Sequence, residues 1–234
     1  MKELLPEFNT YKHISFDLWL TLIKSDPEFK PKRNQLFRDF FGIDKPIGEV
    51  SDVIRKFDIL TNNINEKVGR NFNTFEIYYL ILDALSVDID KISSAQLQQY
   101  YSLSEDLLMQ YKPLLLDDGI PSLLKNLHEN GKTMNILSNT AFIKGSSLRR
   151  VISNYDLDKY FAFQIYSDET GYSKPSREMY LAAYEEMLKI GYTEKRDVLH
   201  VGDNPVSDYD GAIKFGFNAH LLKTPTNESK LQPA

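Results

Sequence analysis

The chain has 234 residues, 42% hydrophobic and 26% charged, enough for one large globular domain or a core carrying an inserted subdomain. Its net charge of -5 offers no basic field for nucleic acid, and with no cysteine it can form no disulfide, thiolate zinc site or cysteine nucleophile. No apolar run approaches the ~20 residues of a membrane span, and the stretch from Met1 to Glu7 lacks a signal-peptide core, so the expectation is a cytoplasmic protein with no membrane partner.

Lys12 to Leu22 comes first, with Ile14, Phe16, Leu18 and Leu20 making it apolar around a single acid, Asp17. Such a run predicts a buried parallel strand over 12–18. An Asp at the end of that strand is costly to bury unless a metal, a cation or donors meet it, although it could also cap the following turn.

From Glu28 to about Tyr111 the periodicity is helical. Leu36, Phe37, Phe40 and Phe41 form one stripe; Val50, Val53, Ile54 and Phe57 form a second. A third helix starts at Asn73, a capping residue with Glu76 three positions on, and carries Phe75, Tyr78, Tyr79 and Leu82. The fourth runs from Ser93 through Leu97, Tyr101 and Leu108. Four amphipathic helices predict a small bundle whose aromatic stripes are core.

Beyond Leu114 helix and strand alternate. The pattern predicts a helix over Ile120–Asn130 stopped by Gly131, a strand over Thr133–Leu137 and a helix over Phe142–Ser153. A strand over Phe161–Tyr166, a helix over Ser176–Ile190 and a strand over Asp197–Val201 follow, then a helix over Asp208–Phe215 and a strand over Ala219–Leu222. This alternation predicts an α/β fold with a parallel sheet. The stretch at 12–18 is its first strand and the helical segment an insertion.

Ligands of open α/β sheets bind at the carboxyl ends of the strands. Asp17 ends the first, and Ser138-Asn139-Thr140 ends the next, where helix-start N–H groups favour an anion. Lys174 lies just before a helix, and Asp203 and Asp208 flank a turn behind Gly202. Two carboxylates there suit a hard cation held by oxygen. Each alone has a plainer reading as a cap, a turn or a solvated charge; together, each at a strand end, they point to phosphate chemistry. His200, inside a strand, reads as a core histidine.

These four stretches resemble motifs one to four of the haloacid dehalogenase-like hydrolase superfamily, most of whose members are phosphatases. Asp17 and Thr21 stand where the opening Asp-x-Asp-x-Thr motif begins and ends; Ser138, Lys174 and Gly202–Asp208 match the rest. The resemblance implies a Rossmann-like sheet of order 5-4-1-2-3, with residues 1–22 and 113–234 as the core domain. Residues 23–112 would form a helical cap of the family's first type, hinged near Lys24–Pro27 and Tyr111–Leu114.

It also implies roles. Asp17 would be the nucleophile, with Thr21, Ser138, Asn139 and Lys174 binding the phosphate and Ser138 and Lys174 also assisting catalysis. Mg²⁺ would sit on Asp17, the backbone carbonyl of Trp19 and Asp203, with Asp208 behind them orienting Lys174 or bound water. The substrate would be a small phosphorylated metabolite, with Lys24, Arg33, Arg38 or Tyr78 of the cap setting specificity. Nothing in the sequence indicates an oligomeric state.

One position departs from the family. The second Asp of motif one, its usual general acid and base, is Trp19 here. The expectation is therefore a Mg²⁺-dependent phosphohydrolase that is slow or restricted in leaving group. The alternatives are a 2-haloacid dehalogenase-like hydrolase, whose leaving halide needs no proton, and a non-catalytic phosphate-binding or regulatory protein.

Overall fold

The computed structural model describes residues 8–191 and 194–222. In chain order, β1 (His13–Phe16) and β2 (Ile23–Lys24) lead into α1 (Phe29–Phe40), α2 (Ile47–Val68), α3 (Thr74–Ala84) and α4 (Ser94–Gln110). After β3 (Leu114–Leu115) come α5 (Ile120–Glu129), β4 (Thr133–Ser138), α6 (Gly145–Asn154), β5 (Phe163–Tyr166) and the short α7 (Ser167–Thr170). The last elements among the described residues are α8 (Arg177–Lys189), β6 (Val198–Gly202), a π-helical turn at Pro205–Asp210 running into α9 (Gly211–Phe215), and β7 (Asn218–Leu221).

The main sheet runs β5-β4-β1-β6-β7, with every neighbouring pair parallel. Setting the two short strands β2 and β3 aside, the same five strands counted among themselves read 5-4-1-2-3 from the β7 edge. Every residue of β1 is buried, as a strand covered on both faces requires. On one face Ile14 and Phe16 pack with Leu123, Leu124 and Leu127 of α5 and Leu148 and Ile152 of α6. On the other, Leu137 and Val198 pack with Met179, Tyr180 and Ala183 of α8 and Phe215 of α9.

The four helices α1–α4 have their own core, in which Phe37, Ile54, Ile77, Tyr78, Leu82 and Tyr100 are buried. Phe37 and Tyr78 each meet Tyr100 edge-on, with ring centroids 5.1 Å apart. Asn73 and Glu76 close a capping box at the start of α3, and Ser93 and Gln96 close another at α4. Among the described residues, no helix is long and apolar enough to cross a membrane.

Three local differences from the sequence reading have physical causes. The helix expected from Phe142 begins at Gly145, because Phe142 is used elsewhere: it packs into the core of α1–α4 against Tyr78. The helix expected from Asp208 starts earlier, as the π-helical turn, since Asn204 rather than Asp208 caps it by accepting from Val206 and Ser207 N–H. Both passages into and out of the helical segment pair as an antiparallel ribbon, Ile23 with Leu115 and Lys24 with Leu114. Two-residue strands leave no periodicity to read.

Candidate active site

β1 delivers Asp17 to the centre of the sheet's carboxyl end, where its N–H donates to Val201 O at 2.8 Å. The chain then turns sharply. Leu20 adopts φ 56 and donates its N–H to Ile23 O, while Leu22 and Ile23 N–H return to Leu18 O. This loop places Trp19 and Leu20 on a cavity of about 450 Å³ that also takes in Asp17, Asn139, Lys174, Asp203 and Asp208. Six of the expected site residues, Asp17, Trp19, Asn139, Lys174, Asp203 and Asp208, are therefore brought to one cavity, whose volume is within the usual range for a small-molecule site.

Lys174 organises it. The residue is 1% exposed, and its ammonium donates to Asp17 Oδ1 at 2.8 Å, Asp208 Oδ1 at 2.6 Å and Leu137 O at 2.6 Å, which uses all three of its N–H groups. Its backbone is held as firmly: Asn139 accepts from Lys174 N–H at 2.7 Å and donates to Lys174 O at 3.0 Å. Both ends of the Asn139 amide are thus committed to positioning Lys174.

Burial pushes the Asp17 carboxyl up to about 7, with Asp208's charge adding and the Lys174 contact opposing. Burial also acts on Asp208, but there Lys174 and the bond from His200 prevail and hold the carboxyl well below its usual range. Desolvation, reinforced by Asp208, raises the half-buried Asp203 to about 6. Lys174 loses solvation too, yet its two carboxylates keep it above the ordinary lysine value. A cation thus clamped between two acids is stable only while all three remain together.

His200 is fully buried, bonds Ser15 Oγ at 3.0 Å and reaches Asp208 Oδ1 at 3.3 Å; burial lowers its pKa. It braces Asp208 from behind. Asn204 N–H fixes Asp208 Oδ2 at 3.0 Å, so both carboxylate oxygens of Asp208 are engaged.

Ser138 and Thr21 do not line the cavity. Both are fully buried; Ser138 donates to Asn139 O at 3.2 Å, and the Thr21 hydroxyl has no hydrogen-bond partner among the described residues. Of the four expected specificity residues only Arg33 reaches the cavity. Lys24 is solvent-exposed in the ribbon, Arg38 pairs with Asp39 at 3.1 Å, and Tyr78 lies inside the helical core. The sequence reading missed Lys30, Asp58, Asn62, Asn63 and Glu66, which line the cavity from α1 and α2.

Glu66 also ties the helices to the site, accepting from Ser207 Oγ at 2.9 Å and Asn204 Nδ2 at 3.2 Å. Thr74 donates to Ala141 O at 2.7 Å, a second tie beside the cavity.

Gly202 is the tightest point of the fold around the site. A Cβ there would lie 2.3 Å from the Asp208 carboxylate, which already bonds Lys174. Gly202→Ala should therefore lower stability by about 1–3 kcal/mol, the usual cost of forced overpacking, and should disrupt the Asp208–Lys174 pair. Urea unfolding measures the first effect. An unchanged midpoint would mean that Asp208 can move aside freely.

A family model described as haloacid dehalogenase-like hydrolase matches residues 11–216. An uncharacterized hydrolase of Schizosaccharomyces pombe is 25% identical over 193 residues, covering 80% of each chain. The 5-amino-6-(5-phospho-D-ribitylamino)uracil phosphatase YigB of Escherichia coli is 35% identical over 79 residues, 33% of this chain and 31% of that one. Among solved structures, the HAD-hydrolase YfnB of Bacillus subtilis, described as bound to magnesium and showing interdomain movement, superposes with TM-score 0.63 at 18% identity. That match covers 89% of this chain and 87% of YfnB.

Proposed function

The chain belongs to the haloacid dehalogenase-like hydrolases, and from that premise we propose that it hydrolyses small phosphate monoesters in the cytoplasm, through an aspartyl phosphate on Asp17. The observation that carries the reading is the Asp17–Lys174–Asp208 clamp opening onto a cavity shared with Asp203. A dehydrated carboxylate beside a fixed cation is arranged to attack an anionic phosphoryl group.

The donor set fits a hard divalent cation such as Mg²⁺. Asp17, Asp203 and Asp208 each offer an oxygen, and the three lie within 4.8 Å of one another. Asp208 is engaged by Lys174 and Asn204, whereas Asp17 Oδ2 has no hydrogen bond among the described residues. Asp17, Asp203 and the backbone carbonyl of Trp19 would then hold the cation, which when bound offsets negative charge on the transferring phosphoryl group.

The remaining chemistry belongs to the chain itself. An Asp17 oxygen attacks phosphorus in line and the substrate oxygen departs; water then hydrolyses the aspartyl phosphate. Lys174 reduces the repulsion between Asp17 and its anionic target, while Asp208 and Asn139 hold Lys174 in place. Ser138 can serve the phosphoryl oxygens only by turning its hydroxyl away from Asn139 O. Residues 23–112 act as a cap that closes the cavity and excludes water, as lids over such sites do. The interdomain movement described for YfnB fits this role.

Calorimetric titration with Mg²⁺ tests the metal assignment. Binding requires ionised carboxylates, so affinity should rise as pH passes from about 6 to about 7, the values to which burial lifts Asp203 and Asp17. Asp203→Asn should weaken binding by at least about tenfold. Equal binding by both proteins would remove Asp203 from the metal site, and hydrolysis of aryl phosphates that is indifferent to Mg²⁺ would remove the metal from the reaction.

A further inference from the structure

The wall contributed by α1 carries a charge that no carboxylate among the described residues pairs with. Arg33 is 7% exposed and lines the cavity that holds Asp17 and Lys174. Its Nε and Nη2 both donate to the neutral Asn34 Oδ1, at 3.2 and 2.9 Å. The guanidinium sits 4.6 Å from the ring centre of Phe142 and 5.9 Å from that of Phe29. Among the described residues, no carboxylate comes within salt-bridge distance of it.

The neighbouring acids are already engaged. Asp58 pairs with Arg55 at 3.3 Å and accepts from Asn62, and Glu66 is bonded to Ser207 and Asn204. Lys30 adds a second cation to the same wall; burial lowers its pKa ahead of Asp58's opposing charge, and Arg33's charge lowers it further.

Nor does Arg33 donate to Tyr78, whose Oη has no hydrogen-bond partner among the described residues. An unpaired buried charge is costly, and an apolar side chain would pack against Phe29 and Phe142 without that cost. The guanidinium fork instead suits a planar or tetrahedral anion bound through two parallel N–H groups.

We propose that the leaving group of the substrate carries a second anionic group, a carboxylate or a further phosphate, and that Arg33 pairs with it inside the cavity. Arg33 is then the residue that sets specificity, and esters with uncharged leaving groups are poor substrates. The inference rests on the phosphomonoesterase reading above and narrows its substrate class.

Non-hydrolysable ligands test it independently of turnover. Phenylphosphonate, 4-carboxyphenylphosphonate and 1,4-phenylenebisphosphonate are titrated calorimetrically into the Mg²⁺-loaded protein. One of the two doubly functional ligands should bind at least about tenfold tighter than phenylphosphonate, the scale of a charge-assisted hydrogen-bond pair; which one identifies the anion as carboxylate or phosphate. Arg33→Gln should remove that preference, while Arg33→Lys, keeping charge without the fork, should retain part of it.

The wild-type comparison stands even if a variant fails to fold. Equal affinities for all three ligands, no binding of any, or a preference that survives in Arg33→Gln would overturn the proposal. The corresponding phosphate esters separate the two readings. Turnover without preference for the second anion leaves phosphohydrolysis intact and removes Arg33. Preference in binding without turnover of any ester does the reverse.

Discussion

A rapid-quench experiment with an aryl phosphate should show a burst of released phenol followed by slow turnover, with a phosphate adduct on Asp17 that is absent from Asp17→Asn. The cause is Trp19. It lines the cavity at the position of the second Asp in the motif this stretch resembles, and an indole can neither protonate a leaving oxygen nor activate water. Both halves of the reaction lose that help, but an activated leaving group compensates only the first, so the phosphoenzyme accumulates.

Alkyl phosphates have no such compensation and should react far more slowly than aryl ones. Trp19→Asp should then raise alkyl ester turnover by about 10²–10⁴-fold and abolish the burst, the range that positioned general acids contribute. Trp19→Ala, which opens the same space without supplying a proton, should leave the aryl preference in place. Alkyl esters cleaved as fast as aryl ones by the wild type would mean that another group donates the proton.

The second large effect should follow from Lys174→Met. Removing the ammonium leaves Asp17 and Asp208 facing each other, buried and without their counter-ion. Breaking a buried pair in this way costs about 3–5 kcal/mol, and turnover should be lost with it. The loss should depend on pH in a definite direction. In the wild type Asp208 is held below its unfolded value, so it stabilises the fold at neutral pH and loses that contribution as pH falls.

Without Lys174, Asp208 rises above its unfolded value and Asp17, already above it, rises further, so both favour the fold when protonated and weaken it as pH climbs. The stability gap between variant and wild type should therefore be wide at pH 8 and narrow at pH 5. Urea unfolding at both pH values measures it, and a constant gap would show that the clamp's charges are already neutralised in another way.

The strands and the motif residues were legible because each declared itself locally. Continuous burial gives a continuous apolar run, and an acid or lysine at its end stands out against it. Asp17 was found in that way, while Lys174 stood out just before a helix and Asp203 and Asp208 around a turn behind Gly202. The residues of the helical wall were not, because which face of an amphipathic helix meets a cavity depends on how the bundle sits on the sheet. Arg33 shares α1 with Arg38, five residues away; one lines the cavity and the other pairs with Asp39 at the surface. Phe142 misled for a related reason: an apolar residue before a helix reads as its first turn, but here it serves the core on the other side.

The ribbon of β2 and β3 has a consequence for how such a chain can be cut and extended. Because Lys24 and Leu114 are register partners on adjacent antiparallel strands, the path from the first sheet strand to the rest is already closed before a single helix is added. The intervening residues form a side loop on a complete circuit, attached at one doorway. A tight two-residue turn could replace them without rerouting the sheet, and a longer or differently built segment could occupy the same doorway. Material inserted there can change without rerouting the strands, provided the ties that Glu66 and Thr74 make to the strand-end loops are kept or replaced.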